Sequence, residues 1–284
     1  MNNTADMWIL YKNKNKKHKW FLMFGFVCVC FVLFLGYQNK HPVVDNFIVQ
    51  SEKISGNLEG FKIVQISDLH NANFGRDNDE LLTLIKNQNP DMAVITGDLV
   101  DSNHTNINRA LEFAQKVQEI CPTYYVTGNH EYWLDEKDLD ILLSGLRAGK
   151  ITILENECVN IDKDNSSFIL VGLDDRNLSD NTLANILQNH KGEFTVVLAH
   201  EPQYISNYSR EKVDLVMSGH AHGGQFRLPF IGGVVAPDQG FNPQYTDGVY
   251  QINDTTMIVS RGLGNSIIPV RLFNYPEIVC VELK

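Results

Sequence analysis

An α/β fold of two packed sheets with helices outside, preceded by one membrane-spanning helix, is the architecture this sequence predicts. Three observations lead there. Runs of β-branched and apolar residues alternate with helical signals through most of the chain, the last part is rich in strand signals alone, and one uncharged apolar run lies near the N-terminus. Alternation points to parallel strands joined by helices, and the β-rich end supplies the material of a second sheet.

Taken in order, the apolar run covers residues 20–37, Trp20 to Tyr37, and holds no charge. As a helix it is about 27 Å long, enough to cross a hydrocarbon core. Trp20 and Tyr37 stand where interfacial aromatics are expected. Lys12, Lys14, Lys16, Lys17 and Lys19 precede it, so residues 1–19 are read as a basic cytoplasmic terminus and the rest as extracytoplasmic. The run is longer than a signal-peptide core of roughly 7–15 residues, and no small-x-small cleavage site follows it. An uncleaved single-pass anchor in the cell membrane is therefore expected. Residues 38–59 read as a juncture, with a brief edge strand at Phe47-Ile48-Val49, and residues 60–284 as one domain.

Within that domain, strands are expected at Phe61–Ile66, Met92–Thr96, Tyr124–Thr127, Phe194–Leu198 and Val213–Met217. Asp79–Asn89 ends before Pro90 and carries Leu81, Leu82, Leu84 and Ile85, as a crossover helix would. Ile107–Ile120, Leu139–Leu146 and Leu183–Leu187 have similar spacing. Gly248–Ile252, Thr256–Val259 and Ile278–Val281 are expected in the second sheet. Phe226–Tyr245 is apolar but broken by glycines and prolines. It is expected as a buried hairpin on that sheet; an apolar lip for an acyl or prenyl chain is the other reading.

Charge narrows the partners. Residues 1–40 hold six lysines and one aspartate, and the remainder carries 18 Lys and Arg against 33 Asp and Glu, a net of −15. Such a surface argues against nucleic-acid backbones. Cys121, Cys158 and Cys280 are isolated and suggest no disulfide framework.

Each of the five central strands is followed closely by a polar motif: Asp68-Leu69-His70, Gly97-Asp98-Leu99-Val100-Asp101, Gly128-Asn129-His130-Glu131, His200-Glu201-Pro202 and Gly219-His220-Ala221-His222-Gly223. Strand ends of an open α/β sheet share one crevice, so these motifs can converge. Asp, His and Asn are donors suited to Mn, Fe or Zn in open coordination, and no Cys lies in any motif. Five of the nine histidines fall inside the motifs; His18, His41, His104 and His190 read as ordinary surface residues.

The five blocks, in register over roughly residues 60–284, resemble the calcineurin-like metallophosphoesterases. The forms Gly-Asn-His-Glu and Gly-His-Ala-His-Gly-Gly look like their bacterial membrane-anchored branch. The resemblance implies a four-layer α/β/β/α sandwich and two divalent metal ions. One ion would be held by Asp68, His70, Asp98 and His222, the other by Asp98 as bridge with Asn129, His200 and His220. It implies too that a metal-bridging hydroxide attacks phosphorus in line, while His130 assists the leaving group without ligating. Asp101 and Glu131 are read either as partners that orient ligand histidines and the metal-loop backbone, or as a turn cap and a solvated side chain. Arg227, Arg261 and Arg271 are candidates for meeting a substrate phosphate, with Arg261 the best placed. Phosphomonoesters, phosphodiesters and pyrophosphates all fall within the family's chemistry. Closeness to a bilayer makes lipid-linked or nucleotide-linked phosphates the expected class, and no obligate protein partner is inferred. A non-catalytic scaffold of the same fold is the alternative, disfavoured because every ligand position and His130 are present.

Overall fold

In the computed structural model, residues 3–174, 181–265 and 268–284 are described. Helix α1 (Asn3–Gln38) contains the whole apolar run. Its side chains are exposed from residue 17 to residue 33, and Gln38 at its end is buried. Then come β1 (Val43–Val49), β2 (Lys62–Ile66), α2 (Asp79–Asn87), β3 (Met92–Thr96), α3 (Ile107–Gln118) and β4 (Thr123–Val126). They are followed by α4 (Asn129–Tyr132), α5 (Glu136–Ala148), β5 (Thr152–Ile153), β6 (Glu157–Lys163) and β7 (Ser166–Gly172). Next are α6 (Thr182–Leu187), β8 (Thr195–Leu198), α7 (Ile205–Arg210) and β9 (Leu215–Ser218). Two small hairpins pair β10 (Arg227–Leu228) with β11 (Gly232–Gly233) and β12 (Val235–Ala236) with β13 (Gly240–Phe241). The chain closes with β14 (Gly248–Ile252), β15 (Thr255–Val259) and β16 (Glu277–Leu283).

The strands form two six-stranded sheets, ordered β1-β16-β2-β3-β4-β5 and β14-β15-β9-β8-β7-β6. Both are mixed: β2 to β5 run parallel while β16 is antiparallel to β2, and β7, β8, β9 and β15 run parallel between two antiparallel edges. Alternate side chains of each strand serve different layers, as a period of two requires. Ile63, Val94, Phe168, Val196, Met217 and Val281 fill the space between the sheets. Val64, Ile95 and Cys280 turn the other way, onto Leu81, Phe113 and Leu142 of α2, α3 and α5. Val197 and Val216 meet Leu183, Ile205 and Tyr208 of α6 and α7. Three apolar layers therefore separate four structural ones, helix, sheet, sheet, helix.

Two expectations need correcting. The strand expected at Ile278–Val281 lies in the first sheet, between β1 and β2. Its unbroken apolar run, with Ile278 and Cys280 on one layer and Val279 and Val281 on another, is the mark of a strand buried on both faces. The brief strand expected at 47–49 is the end of β1, which pairs in parallel with β16 over all seven of its residues. Strands β5, β6 and β7 were not expected; β6 carries only Val159 and Ile161 on its inward side, too little apolar pattern to announce an edge strand.

Phe168 is fully buried between the sheets, edge-on to Phe61 at 5.4 Å and to Phe194 at 6.3 Å between ring centroids. Phe168→Ala should therefore destabilise the domain by about 3–5 kcal/mol, the usual cost of emptying such a site. Chemical denaturation monitored by circular dichroism would read this, and a loss under about 1 kcal/mol would show that the two sheets do not lean on this ring.

Candidate metal centre

All five motifs emerge at the C-terminal ends of β2, β3, β4, β8 and β9, where the edges of both sheets face one another. The turns there are tight. Asp68, His70, Asp98, His220 and His222 have φ of 50°, 46°, 51°, 65° and 48°, the left-handed region that non-glycine residues seldom adopt. Gly97, at φ 84°, has no room for a side chain: a Cβ there would lie 2.6 Å from His200 Nδ1 and 2.7 Å from the Gly128 nitrogen. Gly219 is equally constrained by the Ser67 hydroxyl and the Asp68 carboxylate.

These turns aim two groups of donors at one another. Asp68, His70, Asp98 and His222 form the first, their ligand atoms within 4.8 Å of one another. His70 Nε2 lies 3.2 Å from His222 Nε2 and 3.5 Å from Asp98 Oδ2, and His222 Nε2 is 3.6 Å from Asp68 Oδ1. Asp98, His200 and His220 form the second. Here His200 Nε2 lies 3.3 Å from Asp98 Oδ2, 3.1 Å from Asn129 Oδ1 and 3.1 Å from His220 Nδ1. Asp98 belongs to both. All seven expected ligand positions thus come together.

Their protonation suits a cation. Burial, reinforced by neighbouring His222, pushes His70 down to about 3, and burial together with Arg271 holds His222 well below the ordinary histidine range. Burial and His200 lower His220 as well. Burial opposes ionisation of Asp98, but His200 and His70 beside it hold the carboxyl below its usual range. Neutral imidazoles and an ionised carboxylate are the forms that bind metal. His200 Nδ1 meets the Thr96 carbonyl at 2.8 Å and His220 Nε2 meets Asp238, so the lone pairs of His200 Nε2 and His220 Nδ1 face each other at 3.1 Å, an arrangement that fits a divalent ion far better than it fits the two rings.

Of the two readings given for the supporting residues, Glu131 takes the first and Asp101 combines both. Glu131 is not solvated; it is fully buried and ties the metal loops together. Its Oε2 accepts the backbone N–H groups of Asp98 at 2.8 Å and Gly128 at 2.7 Å, and its Oε1 those of Leu99 at 2.8 Å and Val100 at 3.3 Å. Burial and nearby Asp98 push its pKa up to about 7, against the pull of those donors. Asp101 does cap its turn, accepting from the Asn103 nitrogen at 2.9 Å, and also stands 3.7 Å from His130 Nδ1. His104, expected as an ordinary surface residue, is exposed but lies 3.3 Å from Asp101 Oδ2.

His130 borders the first donor group, its ring centroid 4.4 Å from that of His70 and 4.6 Å from that of Trp133, and its ring nitrogen clusters with the donor atoms of His70 and Asp101 rather than with Asp68, Asp98 and His222. Its Nδ1 accepts the Ser102 backbone N–H at 3.2 Å, which leaves the ring proton on Nε2. His130 N–H also donates to Asp98 Oδ1 at 2.9 Å, holding that carboxylate in place.

The arginines sort in the opposite order from the sequence reading. Arg261 is occupied by Glu277 at 2.7 Å and Asp45 at 2.6 Å, and Arg227 by Asp247 at 2.5 Å. Arg271 reaches the centre. It is fully buried, its Nη2 lying 3.3 Å from His222 Nδ1 and donating to the Gly264 carbonyl at 2.5 Å. Sequence reasoning missed Asp238, whose Oδ2 is 2.8 Å from His220 Nε2. That residue comes from the turn between β12 and β13, with no local pattern to signal it.

Compared with known families, residues 61–224 match the model of the calcineurin-like phosphoesterases. The chain belongs to this family. As a member it is a metal-dependent phosphoester hydrolase, and calcineurin-like phosphoesterases use divalent metals. A metallophosphoesterase of Bacillus subtilis (strain 168), YkuE, is 31% identical over 255 residues, spanning 87% of this chain and 88% of the relative. A Bos taurus transmembrane protein with metallophosphoesterase domain is 29% identical over 266 residues, covering 86% of this chain and 57% of that longer one. Among solved structures, TT1561 of Thermus thermophilus superposes with a TM-score of 0.50 at 11% identity, over 72% of this chain and 90% of that one. That likeness shows the fold.

Because Glu131 holds four backbone donors beside Asp98, this phosphoesterase should lose metal affinity when the carboxylate is replaced. Glu131→Gln puts an amide N–H against those donors, and a loss of ~10–100-fold in divalent-metal affinity is expected. Titrating the purified full chain with Mn²⁺ would measure it; wild-type affinity would mean the loops hold their shape without Glu131.

Proposed function

We propose that this chain is a membrane-anchored phosphoesterase that holds two divalent cations and hydrolyses phosphate esters or pyrophosphates, with lipid-linked or nucleotide-linked phosphates near the bilayer as substrates. The observation that carries the reading is the position of Asp98 in both donor groups. Asp68, His70, Asp98 and His222 would hold one ion, and Asp98, Asn129, His200 and His220 the other. Bound there, a cation pair would polarise phosphoryl oxygens and lower the pKa of water.

The remaining chemistry belongs to the chain. Ser102 holds Nδ1 of the neutral His130 ring; as the imidazolium, with its Nδ1–H facing Asp101 Oδ1 at 3.7 Å, this side chain can give its Nε2 proton to a leaving oxygen as a general acid and return to neutral imidazole. Trp133 tilts against it at 45° while 58% exposed, flanking the route by which a substrate would arrive. Asp238 holds His220 by Nε2 and turns Nδ1 toward the second group, a support of the kind that orients metal-bound imidazoles.

The roles of Asp98 and His130 separate in one pair of variants. Asp98→Ala should lose most bound metal and nearly all activity. His130→Ala should keep its metal while kcat falls by ~10²–10⁴-fold, less for a nitrophenyl ester, whose leaving group needs little protonation. Elemental analysis and rates on two esters would decide; two ions per chain in the first variant, or none in the second, would reverse the assignments.

Support for anchoring comes from α1, whose stretch Lys17–Gln38 is long and apolar enough to cross a bilayer, and from transmembrane-labelled relatives. The lysines before it favour a cytoplasmic N-terminus. Protease added to intact spheroplasts should therefore digest the domain and leave a membrane fragment containing residues 20–37. A domain protected until permeabilisation would place the site on the cytoplasmic leaflet.

A further inference from the structure

The stretch Phe226–Tyr245 folds as hairpins, but their apolar tips are not buried on the second sheet. Phe230 is fully exposed, Phe241 is 84% exposed and Ile231 64%, and Leu228 joins them on the surface. Phe230 also holds a φ of 68°, strained for an aromatic residue. From Leu228 through Val235 the first hairpin carries no charge. Exposed apolar groups gathered this way mark a surface that something covers.

What covers them is indicated by how the hairpin is fastened. Its base pairs with the segment around Leu272: Phe226 bridges Leu272, Arg227 N–H donates to the Leu272 carbonyl at 2.8 Å, and Asn274 Nδ2 donates to the Gln225 carbonyl at 3.2 Å. The end of α1 grips the same segment from the other side. Asn39 Oδ1 accepts Arg271 N–H at 2.8 Å, while Asn39 Nδ2 and Gln38 Nε2 donate to the Arg271 carbonyl at 3.0 and 3.2 Å. Gln38 Oε1 accepts Phe273 N–H at 2.8 Å, and the Phe34 and Phe273 rings lie 5.5 Å apart. Three strand residues from Arg227 to Phe230 span about 10 Å. The apolar tip is thus joined through one short segment to the point where the exposed apolar surface of α1 ends.

We propose that the hairpins Arg227–Gly233 and Val235–Phe241 form a second contact with the lipid bilayer, Phe230, Ile231 and Phe241 entering the boundary between headgroups and acyl chains. The proposal rests on the reading of α1 as a membrane anchor. Aromatic and aliphatic side chains without charge favour that boundary. Asp238, in the turn between Ala236 and Gly240, contacts His220, so the docked hairpins would bring the metal centre to the headgroup layer.

The test uses the full chain, one molecule per lipid nanodisc, with its five native cysteines replaced by alanine and a single environment-sensitive dye on Phe230→Cys or Phe241→Cys. Asp164→Cys, in the β6–β7 turn at the opposite end of β7 from the centre, is the reference. Dyes at 230 and 241 should be quenched by shallow spin-labelled lipids, at a depth of about 5–10 Å, and shielded from aqueous iodide. The reference should show the reverse. Iodide quenching at 230 and 241 equal to that at 164, in a chain that still floats with vesicles after alkaline carbonate, overturns the proposal and spares the anchor. A chain that carbonate releases removes the anchor and the proposal together. Shielding that appears only with two chains per disc assigns the face to a second copy and also overturns it.

Discussion

Five residues of the candidate metal centre in left-handed backbone, each costing of order 1–3 kcal/mol, can persist only because something outside their own turns holds them. The holding is done by charge meeting backbone. Glu131 collects the N–H groups of the Asp98 turn and of Gly128, Asp68 accepts His220 N–H at 3.0 Å through Oδ1, and Asp98 accepts His130 N–H. Apart from the Gly128 bond, which closes its own motif, each joins one motif to another. Two run between neighbouring strands of the first sheet, and the Asp68 bond crosses between sheets. The centre is therefore less a pocket lined by five loops than a seam that sews the two sheets together at one end, while Phe168 and its neighbours fill the space behind it.

That construction explains what the sequence could disclose. The convergence of the candidate ligand residues was legible because each follows a β-branched run within a few positions, and strand ends of this fold meet. The crossover helices were legible from spacing and from Pro90. Long-range pairings were not. Nothing near Arg271 distinguishes it from Arg261; only the fold shows that Arg261 is saturated by Glu277 and Asp45 while Arg271 lies against His222. Glu131 resembles an exposed charge in sequence because its partners are backbone nitrogens some 31–33 residues away. The hairpin tips mislead for a related reason: apolar composition speaks of burial against something, and the sequence does not say whether that is protein.

The junction between α1 and the domain was likewise silent. Gln38 and Asn39 read as an ordinary polar end to an apolar run, yet they bond both the N–H and the carbonyl of Arg271, more than 230 residues along the chain. The link from α1 to the donor group is two residues long: helix end, Arg271, His222.

A flexible tether would let the centre sweep through a range of distances from the membrane. The grip on Arg271 replaces that range with a fixed altitude. On the proposed anchoring, the enzyme would then choose among phosphates partly by how far each phosphorus stands from the hydrocarbon. Two esters of identical chemistry but different headgroup length would be different substrates, although no side chain in the centre distinguishes them.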